Sequence, residues 1–177
     1  MARVTRLPPD SVVARICKPS HADDQGRVQA GAFELRPPTE DRVLERALSV
    51  HWLDYLVSSE SINVKLAVLR DYRANPPPGL TEIRTKKTAW FATLRVRRIE
   101  TEVAPSDVAF ECRHDPRSDC SACPCDESAF VGRLGALSPS RAVMDPHTLI
   151  WAMPEDGPLD FAVRVHLAEL VEHVAHV

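Results

Sequence analysis

Residues 88–99 read TAWFATLRVRRI, and apolar and polar side chains alternate along them. Side chains of a β-strand point to opposite faces in turn, so alternation over this length predicts a strand. One face would be buried and would carry Trp90, Ala92, Leu94 and Val96. The other would face solvent and would carry Thr93, Arg95 and Arg97. This segment therefore predicts a strand with one buried and one solvated side.

Other short apolar segments on both sides of this strand predict a sheet of several strands. Residues 11–17 read SVVARIC, and β-branched side chains favour a pleated, half-buried surface. We expect residues 108–114 to pair with the strand at 88–99. Further strands are expected at residues 48–51, 128–134 and 148–153.

Two segments have the spacing of amphipathic helices. The first begins at Ser59 or Ser61, ends at Asn75 before three prolines, and repeats apolar residues on one face. The second begins near Pro158 and continues to His176. Its apolar arc holds Val163, Leu167, Leu170, Val171 and Val174, and its polar arc holds His166, Glu169, Glu172, His173 and His176. Strands in the middle and helices at the flanks predict an α+β fold, with a central, mostly antiparallel sheet and a C-terminal amphipathic helix.

Length and composition favour one globular domain over residues 1–177. Apolar residues make up 44% of the 177 residues and charged residues 27%, which excludes a disordered or fibrous chain. The formal charge of −3 gives no overall attraction to nucleic acid or to an anionic membrane. The first twenty residues hold no apolar run long enough for a signal peptide or a membrane span, so we expect a cytoplasmic protein without a membrane partner. The motifs GxGxxG, GxxxxGK and GxSxG are absent from the sequence, which disfavours nucleotide loops and serine hydrolases.

The densest chemical signal is a cysteine-rich stretch, residues 110–126, FECRHDPRSDCSACPCD. An odd number of cysteines in a chain without a secretion signal favours thiols or metal ligands over disulfides. Zinc takes four nitrogen or sulfur ligands in a tetrahedron. The candidate ligands are Cys112, Cys120, Cys123 and Cys125, with His114 as a substitute or a supporting partner. The sequence thus predicts a zinc centre in residues 112–125, a possible metal-binding insertion in the domain.

The role of this centre has alternatives. A closed site of four cysteines would be structural, whereas a catalytic site needs an open coordination position and a nearby base. We favour a structural zinc. The same residues could also be free or disulfide-forming thiols, or the ligands of an iron–sulfur cluster, which their tight spacing disfavours.

Three weaker candidates lie elsewhere. The polar face of the C-terminal helix would bring His166, Glu169, His173 and His176 together, as a metal site or, more simply, a solvated or partner-binding surface. Basic residues around Trp90 and Phe91 could bind single-stranded nucleic acid: Arg84, Lys86, Lys87, Arg95, Arg97 and Arg98. Cys17 and His21 could be a nucleophile and its base, although a lone cysteine is more often a small buried residue.

The order of several short motifs resembles small uncharacterised bacterial proteins of similar length. The residues that carry the resemblance are Arg15-Ile16, Gly31-Ala32-Phe33, Leu48-Ser49-Val50, His114-Asp115-Pro116 and residues 128–132, SAFVG. The resemblance implies no activity, and the cysteines after Pro116 depart from its pattern.

The function expected from the sequence is that of a non-enzymatic accessory protein, stabilised by zinc and acting through a protein partner. The first alternative is a metal-dependent, hydrolytic enzyme that uses the Cys/His cluster. The second is a nucleic-acid-binding module that uses the basic strand, a partner that the overall charge does not favour.

Overall fold

In a computed structural model, the described part of the chain contains seven strands of one antiparallel sheet. The structure describes residues 5–35, 47–57, 60–74, 88–103, 110–114, 147–151, 153–154 and 157–176. In chain order the strands are β1 (Thr5–Arg6), β2 (Val12–Cys17), β3 (Ala47–Trp52), β4 (Trp90–Arg95), β5 (Glu111–His114), β6 (His147–Trp151) and β7 (His173–His176). Across the sheet their order is β1-β5-β6-β3-β2-β4-β7, and each neighbouring pair is antiparallel.

Within the described residues, four α-helices and two 3-10 helices accompany the sheet. The α-helices are α1 (Leu53–Leu56), α2 (Ile62–Ala74), α3 (Val96–Glu102) and α4 (Gly157–Glu169), and the 3-10 helices are Pro19–His21 and Ala30–Phe33. This arrangement confirms the expected α+β class. The strands predicted at 11–17, 48–51 and 148–153 and the helix predicted before Asn75 are all present, whereas residues 128–134 lie outside the described residues. No helix among the described residues is both long and apolar enough to cross a membrane.

Strand β2 lies inside the sheet between β3 and β4 and shows how both faces become covered. Val13 and Cys17 belong to a large core that also contains residues of α4 and the second 3-10 helix. Val12 and Ala14, on either side of Val13 in sequence, belong to a smaller core with residues of α1 and α2. Because successive side chains of a strand point to opposite faces, the sheet has an apolar layer on each side.

The expectation of a solvated face on the strand at 88–99 is therefore wrong. Phe91 packs in the smaller core, Leu94 packs in the larger one, and Thr93 is only 1% exposed. The strand also ends early, at Arg95. The backbone amide of Val96 donates to the carbonyl of Ser11 over 3.0 Å, and the chain continues as α3.

The pairing expected for residues 108–114 is also wrong. The described part of that segment, β5, pairs with β1 and β6, whereas β4 pairs with β2 and β7. The places beside β4 are taken by a six-residue ladder with β2 on one side and by the last strand of the chain on the other.

The C-terminal amphipathic helix is present but ends earlier than expected. Helix α4 buries Val163 and Leu167, and its last turn closes where the amide of Leu170 donates to the carbonyl of His166 over 3.0 Å. The chain then forms β7, whose residues pair with β4 from Thr93↔His173 to Trp90↔His176. Backbone groups that would continue a helix thus pair with the edge of β4.

A partly buried ion pair joins the two helices on the smaller-core side of the sheet. The Lys65 ammonium of α2 donates to the Asp54 carboxylate of α1, and Lys65 is 8% exposed. The other oxygen of Asp54 accepts from the backbone amide of Val12 over 2.6 Å. Asp54 therefore links two helices to the first residue of β2.

Candidate functional site

The residues of the predicted zinc centre fall mainly outside the described part of the chain. Cys120, Cys123 and Cys125 lie outside it, so their arrangement stays a prediction. Cys112 lies in β5 opposite Ile150 of β6, fully buried in the larger core. His114 ends the same strand, opposite Thr148. No three His, Cys, Asp or Glu residues within the described ranges lie together so that they could hold a metal ion.

The histidine-rich face expected on the C-terminal helix does not exist as a single face. His166 and Glu169 lie on α4, with the imidazole Nδ1 and a carboxylate oxygen 4.0 Å apart. His173 and His176 lie on β7 because the helix ends at Glu169. His176 is further fixed by the ring of Trp90, whose centroid lies 3.8 Å from that of the imidazole. The proposed four-residue set is therefore divided between two elements.

The basic residues near β4 are held by carboxylates. Arg95 pairs with Glu172 over 3.3 Å, Arg97 with Asp10 over 3.0 Å, and Arg98 with Glu102 over 3.0 Å. The expected row of cations on one open strand face is not formed, because Arg97 and Arg98 belong to α3. Arg84, Lys86 and Lys87 lie outside the described residues.

Cys17 has the properties of a core thiol and not of a nucleophile. Burial raises its pKa to about 11, although the nearby Arg15 acts in the opposite direction. Its thiol donates a long hydrogen bond, 3.7 Å, to the carbonyl of Arg15. Because the thiolate is the reactive form, a pKa this high leaves little of it at neutral pH. Of the two interpretations of Cys17 from the sequence, a nucleophile or a small buried residue, the structure agrees with the buried residue.

A groove that the sequence did not predict lies between the loop at residues 23–30 and the C-terminal segment formed by α4 and β7. Its volume is about 560 Å³, within the range of ligand-binding clefts, which is roughly 300–1,000 Å³. Its apolar side chains are Val28, Val165, Ala168, Val171 and Val174, and its charged ones are Asp23, Arg27 and Glu169. An apolar wall with a few charged groups is typical of a binding surface.

The loop wall of the groove is built around Asp23. Its carboxylate accepts hydrogen bonds from the backbone amides of Gln25 and Arg27, both over 2.9 Å, and pairs with the Arg27 guanidinium over 2.8 Å. These contacts, the Arg27 amide first, lower the pKa of the Asp23 carboxyl. Gly26 completes the turn with a φ of +76°, a conformation that favours glycine. The loop is therefore held in one shape by its own side chains.

The opposite wall is a second apolar strip on α4. Val163 and Leu167 are buried in the core. Phe161, Val165 and Ala168 follow one another at intervals of four and three residues on another side of the helix, where Ala168 also packs against the edge of the core. Val165 and Ala168 line the groove, and Phe161 lies one turn before them with 56% of its surface exposed. Helix α4 is therefore apolar on two sides.

Charged groups fix the beginning of this helix next to Phe161. The Arg164 guanidinium lies 5.6 Å from the centre of the Phe161 ring and pairs with Asp160 over 2.9 Å. It also lies 4.0 Å from Glu34, just after the second 3-10 helix. Burial raises the pKa of the Asp160 carboxyl, and the attraction of Arg164 opposes that effect. These contacts position the aromatic ring at one end of the strip.

Comparison of the chain with protein-family models, with curated proteins and with solved structures finds no match in any of the three.

Proposed function

We propose that this protein is a non-enzymatic interaction domain and that it binds a protein partner in the groove between the 23–30 loop and α4–β7. The observation that carries the proposal is the apolar wall of Val165 and Ala168, continued by the exposed ring of Phe161. Phe161 and Val64 are the exposed large apolar residues among those described, and Val64 lies on a different helix, α2. A cleft next to an exposed aromatic ring is typical of a protein-binding surface.

The rigidity of both walls supports the same proposal. The loop is held by the Asp23 hydrogen bonds, and α4 is held by the burial of Val163 and Leu167 and by the Arg164 ion pairs. A surface that is formed before binding loses little conformational entropy when a partner docks, so less of the interaction free energy is spent on ordering it.

Cross-linking tests this proposal directly. A photo-activatable phenylalanine analogue replaces Glu169 beside the groove or Arg70 on the exposed side of α2, and the protein is irradiated in its native host. We expect adducts of one defined mass from position 169 and not from position 70. Those adducts should disappear when Ala168→Arg puts a charge into the groove. Phe161→Ser serves as a second variant, because an exposed side chain contributes little to folding.

Two outcomes would contradict the proposal. Equal adducts from positions 169 and 70 would mean non-specific contact. Adducts that persist in folded Ala168→Arg and Phe161→Ser would mean that partners bind elsewhere. Circular dichroism and the urea midpoint of each variant show whether it is folded.

We also propose that zinc, bound by the cysteine-rich segment, stabilises the domain. Strands β5 and β6 pair with each other, and the segment between them carries Cys120, Cys123 and Cys125. Metal bound there would close the connection between two neighbouring strand ends and contribute free energy of folding. Elemental analysis should find about one zinc per chain, lost in the double variant Cys120→Ser and Cys123→Ser. Protein purified without any bound metal would end this second proposal and leave the first unaffected.

A further inference from the structure

The exposed charges along the groove and its apolar strip are mostly carboxylates. The side chains of Glu34 and Glu169 are 67% and 66% exposed. Arg164, next to Glu34, is only 16% exposed because Phe161 and two carboxylates surround it. The Arg27 side chain is 73% exposed and pairs with Asp23 over 2.8 Å, and the His166 imidazole lies 4.0 Å from Glu169. Around the groove and the strip, four carboxylates therefore stand against two guanidinium groups: Asp23, Glu34, Asp160 and Glu169 against Arg27 and Arg164. A partner that approaches the groove therefore meets a negative margin on both sides of an apolar strip.

The strip is elongated and has the spacing of a helix. Phe161 and Ala168 are seven residues apart, about 10 Å along the axis of α4. Their side chains form a ridge of the kind against which a second helix packs. The neighbouring edge strand, β7, has only four residues, a short template for an added β-strand. The shape therefore favours a helical occupant over an extended one.

From these two features we infer that the groove binds an amphipathic helix of a partner protein, with an apolar face and with Lys or Arg flanking that face. This inference rests on the proposed function and specifies the chemistry of the partner. Apolar residues of the helix would contact Val165, Ala168 and Phe161, and its cations would lie near Glu169 and Glu34. Exposed ion pairs of this kind contribute to the rate and specificity of association and weaken with salt.

Designed peptides test the inference without knowledge of the natural partner. Three sixteen-residue helical peptides share one leucine face and carry lysine, glutamine or glutamate on the flanking positions. Fluorescence anisotropy at low and physiological salt gives their dissociation constants for the full chain. We expect the lysine peptide to bind most tightly and the glutamate peptide most weakly, with the difference reduced at higher salt.

Matched charge reversals locate the effect. Glu169→Lys should weaken the lysine peptide by about two- to ten-fold, because it replaces an exposed attraction with a repulsion. Glu60→Lys changes the net charge equally at an exposed position preceding α2 and should leave the affinity unchanged. Ala168→Arg should weaken all three peptides by more than about ten-fold because it obstructs the apolar strip.

Each other result has a defined meaning. If all three peptides bind equally and Ala168→Arg prevents binding, the groove is an interaction site but the inferred charge preference is wrong. An equal effect of Glu60→Lys and Glu169→Lys would also overturn the inference, because only net charge would matter. If no peptide binds, or if binding survives Ala168→Arg, the helical occupant is wrong, and the cross-linking experiment still decides the proposed function separately. A concentration-dependent dimer that Ala168→Arg dissociates would identify a second copy as the occupant and overturn the inference.

Discussion

Replacement of Asp54 by asparagine should destabilise the fold far more than loss of a surface charge. Asparagine keeps a side-chain oxygen that can accept the hydrogen bond from the Val12 amide, but it removes the carboxylate that pairs with Lys65. Lys65 is 8% exposed, so its ammonium would stay in a mostly dry site without its counter-ion. Removing one partner of a buried ion pair lowers the free energy of unfolding by about 3–5 kcal/mol. Because both side chains keep some solvent contact, we expect a loss of about 2–3 kcal/mol.

The assay is urea unfolding followed by circular dichroism, with a double-mutant cycle as its control. Lys65→Met removes the buried cation and keeps the length of the side chain. The double variant with Asp54→Asn should therefore be more stable than Asp54→Asn alone. The cycle should give a coupling free energy of about 1–3 kcal/mol. A single-variant loss under about 0.5 kcal/mol, or a coupling free energy near zero, would refute the buried-pair reasoning.

Three further results follow from the described contacts. Cys17 should resist alkylation at pH 8 in folded protein and react after unfolding, because burial raises its pKa to about 11. Peptide mapping by mass spectrometry distinguishes Cys17 from the other cysteines. His21 has a lowered pKa, through burial first and then nearby cations, so the folded state favours the neutral ring. Stability should therefore fall as pH decreases through the ordinary histidine pKa of 6.5, and His21→Gln should reduce that fall in urea titrations at pH 7.5 and 5.5. Gly26→Ala should lower the free energy of unfolding by about 1–2 kcal/mol in the same assay, because alanine is strained at a φ of +76°. The new Cβ would lie 3.9 Å from Trp90, so no steric conflict adds to this strain.

Local patterns predicted most of the secondary structure because helical spacing and β-branched composition agree with the way these segments pack in the fold. The apolar spacing that predicted α2 places Leu66, Leu69 and Tyr72 in the smaller core. The β-branched run in residues 11–17 became β2, a six-residue strand inside the sheet. In α2 the helical spacing accounts for the buried side chains, whereas in β2 the β-branched residues favour a strand although both of its faces are covered.

Pairing and the second apolar layer could not be read from the same patterns. The alternation in residues 88–99 continues to Arg97, but the carbonyls of Ser11 and Pro9 accept the amides of Val96 and Arg97 and turn the chain into α3. Polar Thr93 is buried because the smaller core covers its face of the sheet. Neither contact has a local sequence signal. The Ser11 and Pro9 carbonyls are more than eighty positions from the amides they accept, and the smaller core over Thr93 is built largely from the separate helices α1 and α2.

The groove and the early end of the C-terminal helix have the same cause, which the helical pattern of the sequence does not predict. On a helix continuing to His176, Val171 and Val174 would lie on the arc of Val163 and would point into the core. Because the chain leaves the helix after Glu169 and adds β7 to the edge of β4, both valines line the groove. A signal was nevertheless present, since Phe161, Val165 and Ala168 lie off the core-facing arc at helical spacing. Two apolar sides on one helix require two contacts, and on the second side of α4 only Ala168 packs against the core while Phe161 stays 56% exposed.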